Sequence, residues 1–266
     1  MDSNDILHRE LFDNGVLRLT LNDQKRRNAL SHAMLANLSE VLSEAVTDTD
    51  VRVIVLAAKG TAFCAGHDLK EITAARAASD AGQGYFKQLF DTCASMMQLI
   101  VDSPKPVIAE VAGVATAAGC QLVASCDLAL AADSARFATP GANIGLFCST
   151  PMVALSRNVA KKHAMEMLLT GEMVSAEKAQ QIGLINRSVT PHQLTAETMA
   201  MADNIADKST MTVAIGKRAF YTQAEMALTE AYQYTSQVMV DNMLTFDAEE
   251  GIGAFIAKRP PEWKDQ

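Results

Sequence analysis

The chain has 266 residues, 49% of them hydrophobic and 20% charged, which is enough for one large domain with a proper core or a domain plus an appendage. Its 31 acidic residues outnumber its 23 basic ones for a formal charge of -8, which disfavours a general binder of nucleic acid or anionic membrane. Five cysteines, at 64, 93, 120, 126 and 148, form no C-x-x-C pair and leave one over, so free thiols are expected rather than a disulfide framework or a zinc ribbon.

Val16 to Leu21 alternates apolar and polar residues and stops at Asn22-Asp23, which predicts a half-buried strand closed by a turn. From Ser31 the period changes: Met34, Leu35, Leu38, Val41, Leu42, Ala45 and Val46 recur at helical spacing, with Ser31 as the N-cap. Val51 to Ala58 is a β-branched run that reads as a buried strand, followed by the loop Lys59 to Asp68 and a further helix. Phe86, Leu89, Phe90, Cys93, Met97 and Ile100 share one helical face, and Pro104 and Pro106 break the chain before a strand from Val107 to Val111. Gly113 to Cys126, rich in small residues, turns into a helix before Asp127 to Ala132 returns as a strand. Beyond about residue 200 the strands stop, and Met211 to Phe220, Ala224 to Asn242 and Ala248 to Ala257 show helical periodicity. The expected fold class is therefore an α/β body, residues 1–205, with an α-helical region, residues 206–266, whose apolar stripes bury against another subunit or the body.

No membrane span is expected, because the longest charge-free stretch, Phe137 to Ser156, contains Pro140, Pro151, Gly141 and Gly145. Asp2 and Asp5 precede any apolar run, and neither a basic n-region nor an Arg-rich presequence is seen, so a cytoplasmic protein is expected. The five histidines, at 8, 32, 67, 163 and 192, form no H-x-x-x-H or Cys/His cluster, and no G-x-S-x-G occurs, which speaks against a zinc enzyme and a nucleophile-elbow hydrolase.

Two loops stand out. The first, Phe63 to Asp68, places Gly66 before His67-Asp68-Leu69-Lys70, where an apolar strand gives way to a helix start. Unpaired N–H groups there can bind a carbonyl oxygen that is becoming an oxyanion; an ordinary strand-to-helix turn capped by Asp68 is the other reading. The second, Gly113 to Gln121, has small residues at Ala115, Ala117, Ala118 and Gly119, which serve either close approach of a ligand to the backbone or tight helix packing.

With these loops in this order, the sequence resembles the enoyl-CoA hydratase/isomerase, or crotonase, superfamily over nearly its whole length. The resemblance rests on Asn28-Ala29-Leu30, Phe63 through Lys70, Pro106-Val107-Ile108-Ala109, Ala118-Gly119-Cys120-Gln121-Leu122, Cys126-Asp127, Phe137 through Pro140, Leu169-Thr170-Gly171, Gly183-Leu184-Ile185 and Glu250 through Arg259. It is closest to the enoyl-CoA hydratase domain-containing group, which shares Gly66 through Lys70 and Ala118 through Cys126. The resemblance implies a spiral of ββα units with a C-terminal helical trimerisation region, and a homotrimer or homohexamer. It also implies a CoA thioester as substrate in fatty-acid or acyl-CoA metabolism, with no further cofactor. The two oxyanion-hole N–H groups would be those of His67 and Ala118, with Ala65, Asp68, Leu69 and Lys70 around the first. Phosphates of CoA would meet Lys25, Arg26, Arg27 and Lys70, and Phe255 and Lys258 would reach a neighbouring subunit's CoA.

The chain departs from the resemblance where acids are expected: the two glutamate positions hold Gln121 and Gly141, neither of which exchanges a proton near neutral pH. Cys148 and Ser149 follow in the stretch that approaches the acyl group in relatives, and the His67 imidazole is a further candidate for proton transfer. The expected activity is that of an enoyl-CoA hydratase-like lyase weakened by the missing acids. The alternatives are decarboxylation of a malonyl-type thioester, for which carbonyl polarisation matters more than a strong base, and a CoA-thioester-binding protein without catalysis. Nucleic acid is not an expected partner, because the helix from Ser31 to Val46 carries no Lys or Arg.

Overall fold

The computed structural model describes residues 6–266; Asp2 and Asp5, on which the absence of a leader was judged, lie outside the described residues. The chain opens with β1 (Leu7–Leu11), β2 (Val16–Leu21), α1 (His32–Thr47), β3 (Val53–Ala58), β4 (Ala62–Cys64), α2 (Leu69–Ala75) and α3 (Gln83–Asp102). The middle holds β5 (Val107–Val111), β6 (Val114–Thr116), α4 (Ala118–Ser125), β7 (Leu128–Ala132), β8 (Arg136–Ala138), α5 (Pro151–Asn158), α6 (Lys161–Thr170), β9 (Val174–Ser175), α7 (Ala176–Gln181) and β10 (Arg187–Val189). Four helices close it: α8 (Leu194–Ala206), α9 (Thr210–Ala224), α10 (Leu228–Met243) and α11 (Phe246–Ala257).

Six strands form one sheet in the order β1-β2-β3-β5-β7-β10, parallel except for β1, and β4-β6-β8-β9 form a second, smaller one. The repeating unit is a strand in the large sheet, a short strand in the small sheet, then a helix. β3, β5 and β7 each supply the first strand and β4, β6 and β8 the second. Because Ala62 pairs with Val114 and Val114 with Arg136, the loops that follow β4, β6 and β8 are stacked beside one another.

Residue chemistry explains the layers. β2 alternates, whereas Val53 to Ala57 of β3 are buried on both faces, which is why the latter reads as a continuous apolar run. Leu17, Leu19, Ile54 and Leu56 pack on one side with α1, α3 and α4, while Val16, Val53, Val55, Ile108 and Leu130 pack on the other against Leu194, Ala202 and Ala206 of α8. Ser31 caps α1 as expected, its side chain accepting from the Met34 N–H. β1 was not foreseen, and neither was the second sheet. In β1 only Leu7 is buried, and the strands of the second sheet are two or three residues long, too short to show a period.

Two polar fasteners hold the C-terminal helices. Lys217 of α9 donates from Nζ to the carbonyls of Ile100 (2.8 Å) and Lys105 (3.0 Å) and to Asp127 Oδ2 (2.7 Å). Asp127 also accepts from the Tyr221 hydroxyl at 2.9 Å and the Val107 N–H at 2.7 Å. Beyond α11 the chain folds back. The buried Asp247 carboxylate accepts the N–H groups of Lys264 and Asp265, Arg259 grips Glu250 with both guanidinium nitrogens, and Trp263 Nε1 donates to the Asp207 carbonyl.

Candidate functional site

The site is built by two glycines that let the loops after β4 and β6 meet. Gly66 has φ +89°, and a Cβ there would stand 2.9 Å from Ala117 Cβ and 3.3 Å from Ala118 N. At Gly119 a Cβ would fall 2.0 Å from the Cys64 carbonyl oxygen, so only glycine allows α4 to sit on the end of β4. The small residues of the second loop therefore serve helix packing at Gly119 and let Gly66, the residue before His67, lie against Ala117 and Ala118.

Ala118 is the first residue of α4, where an N–H has no partner inside the helix, and neither it nor His67 N–H is among the amides that pair with a backbone carbonyl. Asp68 does cap α2, its Oδ1 accepting from the N–H groups of Lys70 at 2.8 Å and Glu71 at 3.4 Å. Capping by Asp68 and a free His67 N–H thus coexist. Ala117, between the loops, takes φ 50° and ψ −119°, an uncommon conformation for a residue with a Cβ, and its own N–H donates to the Ala138 carbonyl at 2.9 Å.

The His67 ring lies largely buried, edge-on to Phe90 at 5.5 Å, with Nδ1 3.4 Å from the Leu30 carbonyl and Nε2 without a partner. Phe90, expected on the buried face of α3, is 40% exposed and turned to this ring. Burial lowers the imidazole's pKa, outweighing the Leu30 carbonyl, so the ring is neutral near pH 7.

Gln121 is buried on α4 with Oε1 unpartnered. Gly141 lies in a 3₁₀ turn from Pro140 to Ile144, and the place of its missing side chain is filled: a Cβ would stand 2.4 Å from the Leu146 carbonyl oxygen and 2.8 Å from Cys148 Sγ. Burial raises the Cys148 thiol's pKa, opposed in part by a hydrogen bond with the Gly141 backbone, so the sulfur is a protonated thiol and not a nucleophilic thiolate. Ser149 is exposed and its hydroxyl bonds to the Phe147 carbonyl at 3.4 Å. Thr139, part of the Phe137 to Pro140 stretch but not among the expected site residues, is fully buried with its Oγ1 unpartnered.

Of the expected cations, Arg26 is exposed and lies within ion-pair distance of three carboxylates, with Asp68 at 3.4 Å, Glu71 at 3.5 Å and Asp23 at 3.6 Å. Lys25, Arg27 and Lys70 are exposed at the same rim, and Ala65 donates its N–H to the Arg27 carbonyl at 3.1 Å. Leu69 is exposed beside them. Phe255, 85% exposed, and Lys258, the left-handed C-cap of α11, lie on the surface of the chain. A groove of about 570 Å³ lined by Leu11, Phe12, Gly15, Asp50, Arg52 and Asp207 opens at the opposite ends of β2 and β3, away from these loops.

The family model described as enoyl-CoA hydratase/isomerase matches residues 11–266. The chain is 51% identical to the mouse protein "Enoyl-CoA hydratase domain-containing protein 3, mitochondrial" over 94% of its own length and 81% of the mouse protein's. Among solved structures, an enoyl-CoA hydratase of Mycobacterium smegmatis is 51% identical with a TM-score of 0.93, covering 97% of this chain and 98% of that one. The human enoyl Coenzyme A hydratase domain-containing protein 3 is 46% identical with a TM-score of 0.92, covering 97% and 100%. These likenesses bear out the expected crotonase-type α/β fold. They overturn the cytoplasmic expectation, since relatives from mouse, frog, rat, human and zebrafish carry "mitochondrial" in their names. Unpaired thiols speak for reducing surroundings and do not choose among reducing compartments.

Proposed function

This chain belongs to the enoyl-CoA hydratase/isomerase family, and from that premise we propose that it binds an acyl-CoA thioester with the carbonyl oxygen lodged between the N–H groups of His67 and Ala118. The observation that carries the reading is the contact of Gly66 with Ala117 and Ala118, which sets two unpaired amides on adjoining loops. Two aligned donors stabilise negative charge on the thioester oxygen, and losing one oxyanion-hole donor in an enzyme typically costs about 3 kcal/mol of transition-state energy. Their target is an enolate at the α-carbon. Lys25, Arg26, Arg27 and Lys70 serve the phosphates of CoA, and Phe255 and Lys258 serve the CoA of a neighbouring subunit in a homotrimer or a homohexamer.

Within this reading, hydration of an enoyl thioester is slow. Gln121 and Gly141 supply no general acid or base, and the protonated Cys148 thiol does not replace one. A second reading, thioester binding without turnover, is favoured by one observation: the space at residue 141 is closed by Leu146 and Cys148 rather than left open to water. Infrared spectroscopy of a thioester labelled with carbon-13 at the carbonyl tests the shared premise. The carbonyl stretch falls in frequency on binding if two N–H groups polarise it, and an unchanged stretch refutes the assignment. Turnover of any member of a panel of enoyl, 3-hydroxyacyl and malonyl thioesters then separates enzyme from binding protein.

A further inference from the structure

Arg27 and Asn28 are consecutive residues with φ of 54° and 53°, in the left-handed region that residues with a Cβ seldom enter, and Asn28 is completely buried. Asparagine tolerates that conformation better than most residues, and here it also acts as a clamp. Its Nδ2 donates to the carbonyls of Lys59 at 2.9 Å and Ala62 at 2.8 Å, on the two sides of the turn that joins β3 to β4. Its Oδ1 is buried without a partner, so the use of the residue lies in its two N–H bonds.

What the clamp fixes is the loop after β4. The Arg27 carbonyl accepts the Ala65 N–H at 3.1 Å, the Leu30 N–H donates to the Gly66 carbonyl at 2.8 Å, and Leu30 pairs with His67 as an isolated parallel bridge. The Gly66 carbonyl and the His67 N–H belong to one peptide group, which is planar and trans, so the two point in opposite directions. Holding the carbonyl from behind therefore aims the N–H on the other side. A hydrogen bond at the carbonyl also polarises the peptide group and strengthens its N–H as a donor. The Ala118 N–H is secured differently: the carbonyl of its peptide group, on Ala117, accepts the Gln121 N–H at 3.0 Å and closes the first turn of α4. One amide is held by its own helix, and the other depends on residues 27–30.

We propose that Asn28 is a positioning residue: by holding the turn from Arg27 to Leu30 against β4, it orients the His67 N–H toward the thioester oxygen. Asn28 acts through Leu30 and Gly66 and not on the ligand. This rests on the thioester reading above.

Infrared spectra of butyryl-CoA labelled with carbon-13 at the carbonyl, bound to the intact protein, test it. In Asn28→Gly, which removes both donors and suits the left-handed backbone, the downward shift of the carbonyl stretch is expected to shrink by about half, because one of two donors loses its aim. Asn28→Asp, which keeps the shape and once ionised has no proton to donate, gives the same loss. A residue that served stability alone would lower the melting temperature and leave the stretch of the bound thioester where it is in the parent. That result in either variant overturns the proposal and leaves the thioester site standing. Where a variant binds too weakly for a spectrum, hydrogen–deuterium exchange of the ligand-free protein decides. Faster exchange at the Leu30 and Ala65 amides, with α8 unchanged, supports the proposal, and exchange as in the parent at both amides overturns it. Absence of any shift in the parent removes the thioester reading and the proposal with it.

Discussion

Cys148 Sγ occupies the space into which a side chain on residue 141 would grow, 2.8 Å from where its Cβ would be, and the Leu146 carbonyl oxygen closes the same space at 2.4 Å. Restoring a glutamate at 141 is therefore a packing problem before it is a chemical one. Gly141→Glu is expected to lower stability by about 1–3 kcal/mol through overpacking. Even combined with Gln121→Glu, it does not raise crotonyl-CoA hydration, followed by loss of enoyl absorbance, to that of an enzyme with both acids. Each acid or base contributes about 10²-fold to 10⁴-fold. Ordinary hydratase turnover by the unmodified protein would show that another group has taken over the proton transfer.

Gly66 is the position where substitution strikes the site and spares the core. With φ +89° and a Cβ 2.9 Å from Ala117 Cβ, Gly66→Ala pushes the two loops apart and strains the backbone, for which a cost of about 1–2 kcal/mol is expected. Thioester affinity measured by calorimetry falls sharply while the far-ultraviolet circular dichroism stays that of the parent. Unimpaired binding by this variant would separate the two amides from ligand recognition.

Lys217 has all its ammonium protons directed at acceptors, and its side chain is 7% exposed. Lys217→Met leaves Asp127 charged and half-buried without its cation, and a loss of about 3–5 kcal/mol is expected in urea unfolding. Because α9 is the element released, proteolysis should attack residues beyond 206 first. A loss below about 1 kcal/mol would mean that Tyr221 and the Val107 N–H satisfy Asp127 alone.

The carboxyl of Glu250 is pulled down to about 2 by its hydrogen bonds from Arg259 and from the Glu262 N–H. Its folded value lies below the usual 4.5, so the stabilisation it supplies is present above that value and is lost as pH falls through about 2. Trp263 is the chain's one tryptophan, and its ring covers Gly251. Its fluorescence should shift over this acid range, and at neutral pH in Glu250→Gln. An emission spectrum flat across it would show that Asp247 holds the tail without help.

Much of this architecture is legible in the chain because single residues announce it. Ser31 caps a helix whose apolar positions recur at 3.6, and Asp68 caps the next. Gly66 and Gly119 mark backbone approaches that no other residue permits. The small sheet is illegible because three residues cannot display a period of two, and β1 because one buried leucine among exposed residues is no pattern. The filling of the space at 141 depends on a turn that brings back the Leu146 carbonyl and Cys148 Sγ, a return that no local pattern in the chain announces. The meeting of Arg26 with Asp68 and Glu71, 42 and 45 positions away, is made by the fold and has no local pattern in the chain.

Ala117 carries a methyl group at a φ of 50°, where such a group is crowded, at a cost of about 1–3 kcal/mol held in place by Gly66 and β8. The turn is thus under tension in the resting protein. Ala117→Gly would slacken it, gaining thermal robustness while blurring the aim of the amide that follows. Slow hydrogen–deuterium exchange at the Ala117 amide, which is paired with the Ala138 carbonyl, and faster exchange there in the glycine variant would record that loosening.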